Sequence, residues 1–137
     1  MRSIAYILLP SLLLCLFSCH TKSEYSFSDF LEVDKIQKVR MYNNSGTFDL
    51  SSKQLVQFKK DLGEMSFEPH LSEKLGSLSV HITIDNRDLI LGSNSSSIHV
   101  EAHKSDFTKN TELLGDSPWV SFNTNGVNLN NYTPEEE

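Results

Sequence analysis

Apolar and polar residues alternate over several short stretches of the chain. Leu78, Val80, Ile82 and Ile84 alternate with Ser79, His81, Thr83 and Asp85, the period of a strand with one face buried and one wet. Ile98, Val100 and Ala102 repeat the pattern against His99, Glu101 and His103. Upstream, Val39 and Met41 alternate with Lys38, Arg40 and Tyr42, and Asn43 to Gly46 then reads as a turn because Asn and Gly tolerate positive φ. Thr47 to Leu50 returns as a short strand with Phe48 and Leu50 on one side. Leu89 to Leu91 is a further strand between turns at Asp85–Asp88 and Gly92–Ser97. Near the end, Asn125-Gly126 predicts a two-residue type I′ hairpin. That register sets Phe122 opposite Leu129 and Trp119 opposite Tyr132. It also places Ser121, Asn123, Asn128 and Asn130 together on the polar face.

The period changes once. Leu55, Phe58 and Leu62 recur at spacings of three and four, with Lys53, Gln57, Lys60 and Asp61 on the wet side, the stripe of an amphipathic helix. Ser51 and Gln54 form a capping box at its start, and Gly63 is expected just past its end as a left-handed closing residue. Glu64 to Gly76 reads as a loop. The sum is an α+β domain: an antiparallel sheet of about six or seven strands with one helix packed on one face, a small β-barrel being the alternative.

The first residues follow a different pattern. Met1-Arg2-Ser3 is a short basic start, and Ile4 to Phe17 is an uncharged run of 14 residues. A run of that length suits the core of an export signal and is short for a spanning helix, which needs about 20 residues. Leu16-Phe17-Ser18-Cys19 resembles the lipobox of bacterial lipoproteins: an aliphatic residue, a tolerant position, a small residue, then cysteine. The resemblance covers about the first 20 residues. It implies cleavage before Cys19 and diacylglycerol on its thiol. Phe17 is bulkier than the usual occupant of its position, which resembles lipoboxes of the Bacteroidetes type. His20 after the cysteine, by the aspartate retention rule of enteric bacteria, implies an outer-membrane destination. The implied location is the cell membrane or the outer membrane, facing the periplasm or the cell surface. Two other readings of these residues are an ordinary secretory signal with Cys19 left as a free thiol, and an uncleaved anchor.

Under the lipoprotein reading the chain divides into a signal peptide (1–18), a lipidated cysteine with a tether (19–30), one globular domain (31–132) and an acidic tail (133–137). Loss of the signal leaves 119 residues, with 11 basic against 18 acidic, a net charge of −7. No basic stripe marks a nucleic-acid site, whereas the acidic balance suits a basic protein partner. The chain has two cysteines, Cys15 inside the signal and Cys19 at the cut. The domain therefore has no disulfide, thiol nucleophile or thiolate metal site, and core packing must hold it together.

Candidate chemistry is sparse. His81, His99 and His103 lie on polar strand faces and are weak metal candidates. Along one strand His99 and His103 stand about 13 Å apart, too far to share an ion. No nucleophile elbow, H-E-x-x-H, phosphate-binding glycine loop or S-x-x-K occurs, so no catalytic residue, cofactor or enzyme activity is expected. Trp119 and Tyr132, flanked by Asn128 and Asn130, form the candidate binding surface, a stacking platform for a sugar ring. The expected function is a lipid-anchored envelope protein binding another macromolecule, such as an inhibitor or immunity protein. A glycan- or small-ligand-binding module is second, and an enzyme or metal protein third.

Overall fold

A computed structural model describes residues 25–68, 78–93 and 98–135. The expected signal segment, Cys19 and part of the expected Gly92–Ser97 turn lie outside the described residues. Seven strands form one antiparallel sheet: β1 (Ile36–Asn43), β2 (Gly46–Asp49), β3 (Ser66–Glu68), β4 (Leu78–Ile84), β5 (Arg87–Ser93), β6 (His99–His103) and β7 (Trp119–Asn123), in the order β2-β1-β4-β5-β6-β7-β3. The end strands β2 and β3 do not pair with each other among the described residues, so the sheet is open and not a barrel. The fold is α+β, with one α-helix, α1 (Ser52–Gly63), among the described residues.

The helix begins where the sequence places it. Gln54 N donates to Ser51 Oγ at 3.1 Å, and Ser51 N donates to Gln54 Oε1 at 3.0 Å, so both halves of the capping box are formed. Phe58 and Leu62 enter the core beneath the sheet, with Leu55 packed beside them. Gly63 differs from expectation: it is the last helical residue, and Glu64 follows at φ −87, so no left-handed residue closes the helix. A Cβ at position 63 would meet Val33 Cγ2 at 3.4 Å and Ser28 Cβ at 3.6 Å. The N-terminal segment thus passes close over this end of α1.

The core face of the sheet carries Val39, Met41, Val80, Ile82, Leu89, Leu91, Val100, Ala102, Val120 and Phe122, all buried. At its β6–β7–β3 end five phenylalanines meet. Phe122 has ring neighbours Phe27 at 4.7 Å, Phe107 at 5.6 Å, Phe67 at 5.7 Å and Phe30 at 6.0 Å. Phe27 and Phe30 come from a 3-10 turn (Phe27–Asp29) and the residue after it, both fully buried. The expected tether through residue 30 is therefore too long, because from Ser26 onward the chain belongs to the domain. A 26–28 stretch rich in serine hides this assignment, since the two phenylalanines show neither strand nor helix period.

Two further expectations fail for one reason. β3 lies within the expected loop, and it pairs antiparallel with β7 through Ser66↔Asn123, Phe67↔Phe122 and Glu68↔Ser121. β7 also pairs with β6, from His99↔Asn123 to His103↔Trp119. Both edges of β7 are thus taken, and the return strand of the expected hairpin has nowhere to form a ladder. The turn itself does form. Asn125 and Gly126 take φ of 54 and 87, and Val127 N donates to Thr124 O at 3.1 Å. The chain then leaves as a 3-10 turn (Leu129–Asn131) that buries Leu129. A second I′-like turn, Asp85-Asn86 at φ 48 and 62, joins β4 to β5 directly.

Two stability outcomes follow. Phe122→Ala is expected to lose about 3–5 kcal/mol, a large share of the roughly 5–15 kcal/mol typical of a domain. A urea-midpoint change worth under about 1 kcal/mol would contradict the central place given to that ring. Gly63→Ala, whose new methyl meets only ordinary contacts, is expected to stabilise by up to about 1 kcal/mol. Destabilisation in a thermal melt would mean the approach to Val33 and Ser28 has no slack.

Candidate functional site: the open face of the sheet

The register that sends one set of side chains inward sends the other to the opposite face, away from α1. Across the sheet this open face carries Lys38, Arg40 and Tyr42 on β1, His81 and Thr83 on β4, and Asp88 and Ile90 on β5. It continues with His99, Glu101 and His103 on β6, Trp119, Ser121 and Asn123 on β7, and Glu68 on β3.

At the β1 end, Arg40 Nε donates to Asp49 Oδ1 at 2.8 Å, and Lys38 Nζ lies 3.4 Å from Asp49 Oδ2. The hydrogen bond from Arg40 is the main reason the Asp49 carboxyl is held below its usual range. These groups are exposed, so their pairing contributes little to stability. Lys38, Arg40, Tyr42, His81, Thr83 and Asp88 line a depression of about 160 Å³. In it the His81 ring lies 4.6 Å from that of Tyr42, and Thr83 Oγ1 donates to Asp88 Oδ1 at 2.9 Å. Beside it stands Ile90, which is 47% exposed and directly opposite His81 on the ladder.

At the other end the polar side chains bond to one another. His99 Nε2 donates to Glu68 Oε2 at 2.9 Å, and Asn123 Nδ2 donates to Glu68 Oε1 at 2.9 Å. Glu101 corrects the expectation of a wet position: it is buried, 6% exposed, and accepts from Ser121 Oγ at 3.3 Å. Ser121 is itself buried, so its hydroxyl is not presented to a substrate. His103 stacks on Trp119 with ring centroids 3.9 Å apart, and Trp119 is 36% exposed. A groove of about 430 Å³ runs beside the pair, lined by His103, Lys104, Phe107, Thr111 and Pro118.

The predicted platform is dismantled by this arrangement. Trp119 faces His103, not Tyr132. Tyr132 lies on the helix side, its ring 5.9 Å from Phe58 and its hydroxyl donating to Asp61 Oδ2 at 3.0 Å. Asn128 accepts from Asn130 N to cap the last 3-10 turn, and Asn130 Oδ1 accepts from Asn44 N at 3.1 Å. The amides thus hold the C-terminal segment against β1 instead of facing a ligand. Asn43 does the same, its Nδ2 donating to the carbonyls of Leu129 and Tyr132 at 2.9 Å each. The three candidate histidines are likewise dispersed: His81 sits on Tyr42, His99 on Glu68 and His103 on Trp119. Among the described residues no group of three or more His, Cys, Asp or Glu side chains is arranged to hold a metal ion. Ile90 is the residue that sequence reasoning passed over. Its signal is phase, an isoleucine at the outward position between the inward Leu89 and Leu91.

Comparison with known protein families, characterised proteins and solved structures finds no match for this chain. No helix among the described residues is long and apolar enough to cross a membrane.

The Tyr132 contact has a pH signature. Burial first, then the Asp61 charge and the hydrogen bond to it, raise the phenol above its ordinary value. A raised pKa means that the neutral phenol is favoured by folding. Its contribution is full below about pH 10, the unfolded value, and is lost as pH climbs through the folded value. Tyr132→Phe is expected to cost about 1 kcal/mol at pH 7 and to lessen the fall in stability above pH 10. Identical alkaline limbs in the two proteins would contradict the assignment.

Proposed function

We propose that this chain is a lipid-tethered protein of the bacterial cell envelope whose folded domain binds another macromolecule through the open face of its sheet, without catalysis. The observation that carries the reading is a conjunction. A lipobox-like Leu16-Phe17-Ser18-Cys19 precedes a domain whose sheet keeps Ile90 and Trp119 exposed on the face opposite its helix. Exposed aliphatic and aromatic anchors set among polar groups are the composition of a protein-binding surface. The buried setting of Ser121 and the pairing of His99 with Glu68 favour structural roles for those groups over nucleophile and base. The negative net charge favours a basic partner, met with salt-sensitive association. An inhibitor or immunity protein is one such role, resting on analogy with small acidic lipoproteins. A glycan-binding reading keeps Trp119 alone as its platform, beside the 430 Å³ groove.

Intact mass spectrometry of the chain made in a bacterial host, beside Cys19→Ser, tests the anchor. A mature chain starting at Cys19 with added acyl mass, absent from the variant, is expected; a chain cut there without lipid would remove the tether from the account. Affinity capture from envelope fractions tests the face. Ile90→Arg is expected to weaken partner binding at least tenfold, about 1.4 kcal/mol, with the melting temperature kept. Capture of a partner equally well by Ile90→Arg and Trp119→Ala would move the binding surface elsewhere. Retention on a glycan array, lost with Trp119→Ala, would favour the glycan reading.

A further inference from the structure

We propose that the pocket between α1 and the C-terminal 3-10 turn is a second binding site, which takes a neutral saccharide ring through Asp61, Gln57 and Asn131. It lies on the helix side of the domain and goes beyond the recognition role given to the open face of the sheet. The pocket has a volume of about 280 Å³, with Val127 and Tyr132 among its walls. That is close to the lower end of the roughly 300–1,000 Å³ of small-molecule sites.

Helix geometry supplies the first two groups. Gln57 and Asp61 stand four residues apart and so project side by side from α1. Gln57 Nε2 donates to Asp61 Oδ1 at 2.8 Å, and the Tyr132 hydroxyl donates to Asp61 Oδ2 at 3.0 Å. A carboxylate accepts about four hydrogen bonds, so each oxygen keeps capacity for a ligand hydroxyl. Gln57 keeps its Oε1 as an acceptor, and the exposed Asn131 adds an amide that both donates and accepts. Among the described residues no lysine, arginine or histidine lines the pocket, which argues against an anion. Two donors already share the Asp61 charge, and the amides offer bonds in both directions. That balance suits hydroxyls, which donate and accept, better than an ammonium, which only donates. Val127 and the Tyr132 ring supply apolar surface for the C–H side of a sugar.

The wall opposite the helix is braced before any ligand arrives. Asn43 Nδ2 donates to the Leu129 and Tyr132 carbonyls, Gln54 Nε2 donates to the Thr133 carbonyl at 2.7 Å, and the Tyr132 ring packs on Phe58. Asn131 is thus presented by a fixed segment, and a fixed site loses less freedom on binding. Tyr132 is shared with the platform expected from sequence, but here its hydroxyl orients Asp61 and Trp119 takes no part.

The test is an NMR titration of the full chain with methyl α-glucopyranoside and with N-acetylglucosamine, in a phosphocholine detergent so that no sugar headgroup competes. Saturable shifts are expected in the side-chain amides of Gln57 and Asn131 and in the backbone of residues 126–132. Asp61→Asn, which can still accept from Tyr132, and Asn131→Ala should each weaken binding about tenfold with the melting temperature kept. Trp119→Ala should leave binding unchanged. No saturable shift with either sugar overturns the proposal. So does a response centred on His103 and Trp119, which would put the sugar at the far end of the sheet. Stronger binding of N-acetylarginine amide than of either sugar also overturns it, because the pocket would then be a socket for a cationic side chain.

Discussion

The phenylalanine nucleus around Phe122 is the contact on which the rest of the structure depends. Both cysteines, Cys15 and Cys19, precede the folded domain, so nothing covalent holds its ends, and a domain of about a hundred residues has only a modest core. Phe122 gathers rings from four other places: Phe27 and Phe30 near the N-terminus, Phe67 on β3 and Phe107 beyond β6. Backbone bonds follow the rings. Phe27 N donates to Met65 O at 2.9 Å, and Thr108 N and Lys109 N both donate to Phe30 O at 3.1 Å. The N-terminal turn is thereby fastened to the residue before β3 on one side and to residues 108 and 109 on the other. With it in place, β3 can occupy the outer edge of β7, and the chain can pass over the end of α1 at Gly63. The run of Tyr25 and Ser26 beside β3 is thus a consequence of aromatic packing.

The same packing separates the two faces of the sheet by role. The inner face is apolar and closed by α1 and the N-terminal segment. The outer face keeps its polar side chains bonded among themselves, Glu68 with His99 and Asn123, Glu101 with Ser121. Ile90 on β5 and Trp119 at the start of β7 remain partly exposed beside these clusters. A surface with its polar groups already paired gives up less on desolvation than one with free charges, which supports the proposed recognition role.

Much of this was legible in the sequence wherever the signal is local. The capping box at Ser51 and Gln54, the period of two through β4, and the positive-φ pairs at Asp85-Asn86 and Asn125-Gly126 each depend on neighbouring residues alone. What escaped reading depends on competition between distant segments. Three residues, Ser66 to Glu68, are too few to show a period, yet they take the edge of β7 and so convert a well-marked hairpin into a turn followed by a 3-10 segment. That one substitution of partners carried Tyr132 to Phe58 and Asp61 and left Trp119 with His103. The candidate site was accordingly half legible. Trp119 keeps an exposed position, while Tyr132, Asn128 and Asn130 serve the fold. Glu101 looked wet by parity, and the burial it meets between strands is a property of its neighbours that its own position does not record.

The most direct test of the proposed recognition face is photocrosslinking in intact cells, with a photoreactive amino acid placed at Ile90 in one chain and at Val56, on the helix side, in another. The account predicts protein adducts from position 90 that compete with unmodified chain, and few from position 56. Protein adducts from position 56 with none from position 90 would contradict it, because the partner would then sit on the opposite side of the domain.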